Sequence, residues 1–159
     1  MRVTLIRHGE AGDDAPRDEA RSLTLRGRAS VTRVARALRR RGGDFTLIVS
    51  SPLVRAVQTA EIIAAAVGYG GRLVVSEALE PEARVSRTVA WLATLEGDSV
   101  ALCAHEPILS SLAGALLRVD RFPALRKAEA LRLRLPDGPG HAGELRWRID
   151  PETGARETP

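Results

Sequence analysis

Apolar residues along this chain fall into short unbroken runs, separated by longer stretches with helical spacing. Val3-Thr4-Leu5-Ile6, Phe45-Thr46-Leu47-Ile48-Val49 and Ser99-Val100-Ala101-Leu102-Cys103-Ala104 are too short for helices. They read as strands buried on both faces. The pattern predicts strands at 2–7, 45–50, 72–76 and 99–104, and helices at 24–41, 53–67, 85–96 and 107–118. Ser51 and Pro52 suit the cap and first position of the second helix, Gly68 its end, and Pro107 the start of the fourth. Strand and helix alternate, which implies a parallel sheet covered by helices on both faces. From residue 130 the period becomes two. Residues 130–135 and 145–149 alternate apolar and polar around the turn-rich Pro136-Asp137-Gly138-Pro139-Gly140. That segment predicts a half-exposed hairpin on the sheet edge. The expected fold is therefore α/β: a single-domain three-layer α/β/α sandwich over 1–150, with a mainly parallel sheet and a C-terminal antiparallel hairpin. Residues 151–159 are polar and are expected to fray as a tail.

Composition narrows the picture in a few places. With aromatics at 3%, the core must be built from Leu, Val, Ile and Ala. No apolar stretch reaches the roughly 18 residues of a membrane span, and no signal peptide opens the chain. A cytoplasmic protein without a membrane partner is expected. Cys103 is the single cysteine and lies within an apolar strand, so it reads as a buried inert thiol. The basic residues are nearly all arginines, with Lys127 the only lysine, and the net charge is +4. Arg26, Arg33, Arg36 and Arg40 share one face of the first helix, opposite Val31, Val34, Ala35 and Leu38. That face is either solvated or a patch for an acidic partner. No aromatics interleave with it, which argues against nucleic acid. His141 sits in a Gly/Pro-rich turn and reads as a surface residue.

Candidate chemistry gathers at the strand ends, where open α/β sheets bind ligands. Arg7-His8-Gly9-Glu10 follows the first strand, Arg55 the second, and His105-Glu106-Pro107 the one at 99–104. Two guanidinium forks and two imidazoles at such positions suit an oxyanion, and Gly9 would allow close backbone approach.

Arg7-His8-Gly9, then Ser51-Pro52-Leu53-Val54-Arg55-Ala56-Val57-Gln58-Thr59-Ala60, then His105-Glu106-Pro107 resemble the histidine phosphatase superfamily in its phosphoglycerate-mutase-like branch. The short length and Arg21-Ser22-Leu23-Thr24-Leu25-Arg26-Gly27 are most similar to the SixA type of bacterial phosphohistidine phosphatase. The resemblance implies a phosphatase without metal or cofactor. His8 would be the nucleophile forming a covalent phosphohistidine. Arg7, Arg55 and His105 would bind phosphate. Arg21 would border the pocket, unless it is an exposed salt-bridging residue. Glu10 either orients groups at the pocket mouth or is solvated. Mutase-like relatives carry an acid after the third strand, where Leu79-Glu80-Pro81-Glu82 lies here. Glu80 is either a general acid for alkyl phosphates or an exposed loop carboxylate. The implied substrate is a protein phosphohistidine, with a small phosphate ester such as a sugar phosphate or nucleotide as the alternative. A non-catalytic phosphate- or polyanion-binding module is the rival from another class. A monomer is expected.

Overall fold

The chain enters its fold through a six-residue strand, β1 (Arg2–Arg7), in a computed structural model that describes residues 1–41 and 43–159. The helix α1 (Leu25–Arg41), the strand β2 (Leu47–Ser50) and the helix α2 (Val54–Val67) follow. Next come β3 (Val74–Val75), α3 (Val85–Leu92), β4 (Ser99–Ala104) and α4 (Ile108–Leu117). The remaining strands are β5 (Ala130–Arg134), β6 (Glu144–Ile149) and β7 (Arg156–Glu157). Among the described residues these strands form one sheet in the order β3-β2-β4-β1-β5-β6-β7. The pairs β3·β2, β2·β4 and β4·β1 are parallel, and β1·β5, β5·β6 and β6·β7 antiparallel. The sheet is thus mixed, its parallel half being the α/β part of the expected sandwich.

Alternation of side chains across the strands builds two cores. Ile6, Ala101 and Cys103 point to one face, beneath Val31, Val34 and Leu38 of α1 and Ala60 and Ile63 of α2. Val3, Leu5, Val100 and Leu102 point to the other, beneath Leu92 of α3 and Ile108, Leu109, Leu112 and Leu116 of α4. Cys103 is fully buried, and burial pushes its thiol up to about 12, as an inert core residue requires.

β4 is inserted between β1 and β2, so the chain reverses its direction of travel across the sheet there. Arg7 pairs with Ala104, and Ser50 with Cys103. The residues that follow these strands, His8, His105 and Ser51, are therefore delivered side by side at one sheet edge. This is the switch-point arrangement at which open sheets bind ligands.

Three expectations need correction. The hairpin is half exposed only in β6, and it does not form the sheet edge, which is β7: β5 lies inside the sheet, between β1 and β6. Its Arg132 is buried, donating to Thr4 Oγ1 at 3.0 Å and lying over the Trp147 ring at 5.0 Å. Second, α2 begins at Val54, with Leu53 at its cap position, rather than at a Ser51 cap; Ser51 Oγ still accepts from Leu53 N at 3.3 Å. Third, the end of the chain does not fray. Asp150 closes a turn by accepting from Glu152 N and Thr153 N, and β7 then pairs with β6. Gly68 does end α2 in the left-handed conformation, at φ 72°.

Candidate active site

The loop after β1 is held from three sides. His8 N donates to Ala104 O and Arg7 N to Glu129 O, each at 3.0 Å. Ala128 N donates to His8 O at 3.0 Å. Gly9 N donates to Thr59 Oγ1 of α2 at 3.2 Å. The fourth wall is α1. A Cβ on Gly27 would come within 2.1 Å of Glu10 O, and one on Gly9 within 2.8 Å of Gly27 O. The freedom of Gly9 is thus spent on the approach of a helix rather than of an anion. Glu10 takes part in the same junction, accepting from Thr24 Oγ1 at 2.9 Å, while Thr24 Oγ1 accepts from Gly27 N. Glu10 thus anchors the start of α1, a role that neither expected alternative gave it.

His8, Arg55 and His105 are 6%, 4% and 2% exposed. The two imidazole centroids lie 5.0 Å apart. His8 Nδ1 lies 2.6 Å from Gly9 O. A carbonyl can only accept, so Nδ1 carries the proton and Nε2 keeps the lone pair. Burial, aided by the charges of Arg55, Arg7 and Lys127, lowers the His8 pKa from 6.5 to about 4, against the opposing effect of the Gly9 bond. Burial and the neighbouring His8 and Arg55 lower His105 to about 3, with Asp18 opposing. His105 Nε2 meets Ser51 Oγ at 2.8 Å. Both rings are therefore neutral at neutral pH.

The cations are pinned but not saturated. Arg7 Nη1 donates to Leu125 O at 2.6 Å. Arg55 donates from Nη1 to Asp18 O at 2.8 Å and from Nη2 to Asp18 Oδ2 at 3.0 Å. Arg7 Nε, Arg55 Nε and His105 Nδ1 are buried without a partner. The two guanidinium Nε–H groups are donors, and an unpaired buried donor is costly, a cost that a bound oxyanion would relieve.

Arg21 pairs with two carboxylates of the loop before it, the salt-bridging alternative of the two expected for it. Its Nε meets Asp18 Oδ1 at 3.0 Å and its Nη1 meets Asp13 Oδ1 at 2.8 Å, so it braces the carboxylate that grips Arg55. Glu80 is half-buried and lines a cleft of about 330 Å³ with Asp18, Glu19, Leu53, Pro81 and Glu82. His141 is exposed, as expected. Among the described residues, no three His, Cys, Asp or Glu side chains are grouped to hold a metal ion, and no helix is long and apolar enough to cross a membrane.

Sequence reasoning missed Asp18, Ser51 and the 125–129 loop that supports Arg7 and His8. Ser51 was visible only as a helix cap. The loop is tied to the end of β4 through Glu106 Oε1, which accepts from Leu125 N at 2.8 Å. It also rests on the buried Glu129, which takes Arg148 at 3.0 Å.

Comparison with known proteins agrees with this geometry. The model of the Histidine phosphatase superfamily (branch 1) matches residues 3–81. An uncharacterised protein of Picosynechococcus is 36% identical over 141 residues, spanning 84% of this chain and 85% of its own length. The chain belongs to the histidine phosphatase superfamily. Phosphohistidine phosphatase SixA of Escherichia coli K12 is 27% identical to this histidine phosphatase, over 95% of the chain and 94% of its own length. The solved structure of the protein histidine phosphatase SixA complexed with tungstate superposes with a TM-score of 0.88 at 26% identity, covering 95% of this chain and 97% of the other. The single-domain α/β fold with its mixed sheet is thus that of a SixA-type histidine phosphatase.

The paired imidazoles make a measurable prediction for this histidine phosphatase. Below pH 6.5 the unfolded chain takes up protons that the folded site refuses until about 4 at His8 and about 3 at His105. Stability should fall as pH drops through that window, by at most about 1.4 kcal/mol per pH unit for each histidine. Thermal melts from pH 7 to pH 4 should show a smaller decline for His105→Gln than for the wild type. Superimposable declines would mean that His105 titrates normally.

Proposed function

We propose that this histidine phosphatase hydrolyses phosphohistidine on proteins, through a covalent intermediate on His8 and without a metal or cofactor. The observation that carries the reading is a neutral His8, with Nδ1 held by Gly9 O, in a site where Arg7 Nε, Arg55 Nε and His105 Nδ1 lack partners. The Nε2 lone pair attacks phosphorus. The bond from phosphorus to the donor nitrogen breaks, and its electron pair returns to the donor imidazole. Water then attacks phospho-His8, the new P–N bond breaks, and dihydrogen phosphate leaves and ionises. Arg7, Arg55 and His105 hold the equatorial oxygens, where charge gathers in the transition state.

The choice of phosphohistidine is supported by likeness to SixA over nearly the whole chain, and that relative binds tungstate, an oxyanion. We read the protein as a monomer acting on an exposed protein side chain. A second reading, a small-molecule phosphomonoesterase, rests on Glu80, which shares a cleft with Asp18 and could protonate an alkoxide.

A panel of leaving groups tests both. A phosphohistidine peptide, p-nitrophenyl phosphate and glycerol phosphate are compared on the wild type and on Glu80→Gln. The phosphohistidine peptide should have the highest kcat/KM. If Glu80 is the acid, Glu80→Gln should slow glycerol phosphate by roughly 10²–10⁴-fold and phosphohistidine much less. Glycerol phosphate turning over faster than phosphohistidine would displace the first reading. Equal small effects on every substrate would leave Glu80 a loop carboxylate.

A further inference from the structure

The turn at Asp18–Ala20 buries none of its residues, yet it holds the deeply buried Arg55 by two hydrogen bonds. The side chain of Asp18 is itself 63% exposed. It faces the 330 Å³ cleft shared with Glu19, Leu53, Glu80, Pro81 and Glu82. Four of those six residues are carboxylates. Arg21 and Arg55 pair with Asp18. No ion pair to Glu19, Glu80 or Glu82 occurs among the described residues. Arg55 links this cleft to the anion site: its side chain is 95% buried, its Nη atoms reach Asp18, and its Nε has no partner. The site is thus polarised, with cations on its floor and carboxylates on the adjoining lip. An enzyme for bisphosphates or phosphorylated carboxylates would gain from cations on both sides, because a second anion on the leaving group would meet this lip.

We propose that the acidic lip formed by Asp18, Glu19, Glu80 and Glu82 selects phosphoryl donors whose non-phosphoryl part carries positive charge while bound, and rejects those in which that part carries a second negative charge. The inference rests on the phosphoryl-transfer reading of His8. Its chemistry fits an imidazolium donor. A phosphohistidine protonated on its other ring nitrogen expels neutral imidazole when the P–N bond breaks, the electron pair staying on nitrogen. A carboxylate that accepts a hydrogen bond from that N–H favours the protonated form, and so the better leaving group. An unprotonated donor would have to leave as an imidazolate.

The experiment uses two small monophosphates of opposite tail charge, phosphoethanolamine and phosphoglycolate, as competitors of p-nitrophenyl phosphate hydrolysis by the full chain. The wild type should bind phosphoethanolamine about tenfold more tightly at low ionic strength, and salt should shrink the difference. The double variant Glu19→Lys/Glu82→Lys changes two exposed side chains that make no contact with Arg55, and it should reverse the order. Asp18→Asn should weaken the preference in the same direction, and Asp18→Glu should restore it. Equal affinities in the wild type, or a preference that charge reversal does not move, would overturn the proposal. A uniform change on both competitors in Asp18→Asn would reduce Asp18 to a brace for Arg55. Free phosphohistidine is assayed in parallel. If the charge order holds but phosphohistidine is not turned over, the selective lip stands and the substrate reading falls.

Discussion

Replacing His8 with alanine should remove turnover on every phosphate substrate, a loss on the order of 10⁴–10⁶ in kcat, while the fold survives. The proposed chemistry needs a neutral nitrogen lone pair at the floor of the site. His8 supplies it because burial lowers its pKa to about 4 and Gly9 O fixes its proton on Nδ1. His105 is no substitute, although its ring lies 5.0 Å away, because its Nε2 is engaged with Ser51 Oγ. The imidazole of His8 ends no hydrogen-bond chain that supports the core, so truncation should leave the circular dichroism spectrum and melting cooperativity intact. Rapid quench of the wild type with a phosphohistidine peptide should trap acid-labile phosphate on the protein, and His8→Ala should trap none. Turnover by His8→Ala near the wild-type rate would move the nucleophile elsewhere.

Arg55→Ala should cost about 10²–10³ in kcat, or roughly 3–4 kcal/mol of transition-state stabilisation. The loss has two sources. In the proposed reaction the buried guanidinium, with Nε unpaired, would meet charge on the transferring phosphoryl group. It is also the anchor for Asp18, so its removal releases the turn at Asp18–Ala20. Arg55→Lys should recover little, since an ammonium cannot hold Asp18 on one edge and present a second edge to phosphate. Single-turnover rates on p-nitrophenyl phosphate separate chemistry from product release. A kcat within threefold of the wild type would exclude Arg55 from transition-state stabilisation.

The central parallel strands were legible because each is short and apolar, and the helices between them because of their apolar spacing and end signals, whereas the strand expected at 72–76 shrinks to the exposed pair Val74–Val75. Gly68 stops α2 in the left-handed conformation, and β4 is buried at every position. The four strand-end cations and imidazoles were legible for the same reason, since buried parallel strands open onto ligand sites at their carboxyl ends. Asp18 was not, because it lies in an aperiodic polar loop whose geometry is set by a side chain 37 residues away. Arg21 lies in the same loop, and its pairing with Asp13 and Asp18 follows the salt-bridging alternative that the sequence left open. Period-two reasoning put Arg132 outward. The pleat does direct it to the opposite face from Leu131 and Leu133, but that face is covered. Its guanidinium lies over Trp147 and near Asp44, a pairing that no local pattern announces.

The glycine contact between the β1 loop and α1 has an evolutionary consequence. Backbone packs on backbone where a Cβ of residue 27 would overlap Glu10 O at 2.1 Å, so nothing on that side can be adjusted by exchanging side chains. The turn that holds Arg55, Asp18–Ala20, is by contrast a surface turn with no buried residue. Mutational tolerance around His8 is therefore lopsided. One flank is closed to sequence drift, and the other can vary without disturbing the core. New substrate preferences in proteins built this way should arise by changes in the 13–21 segment and the loop around Glu80, while positions 9 and 27 stay fixed.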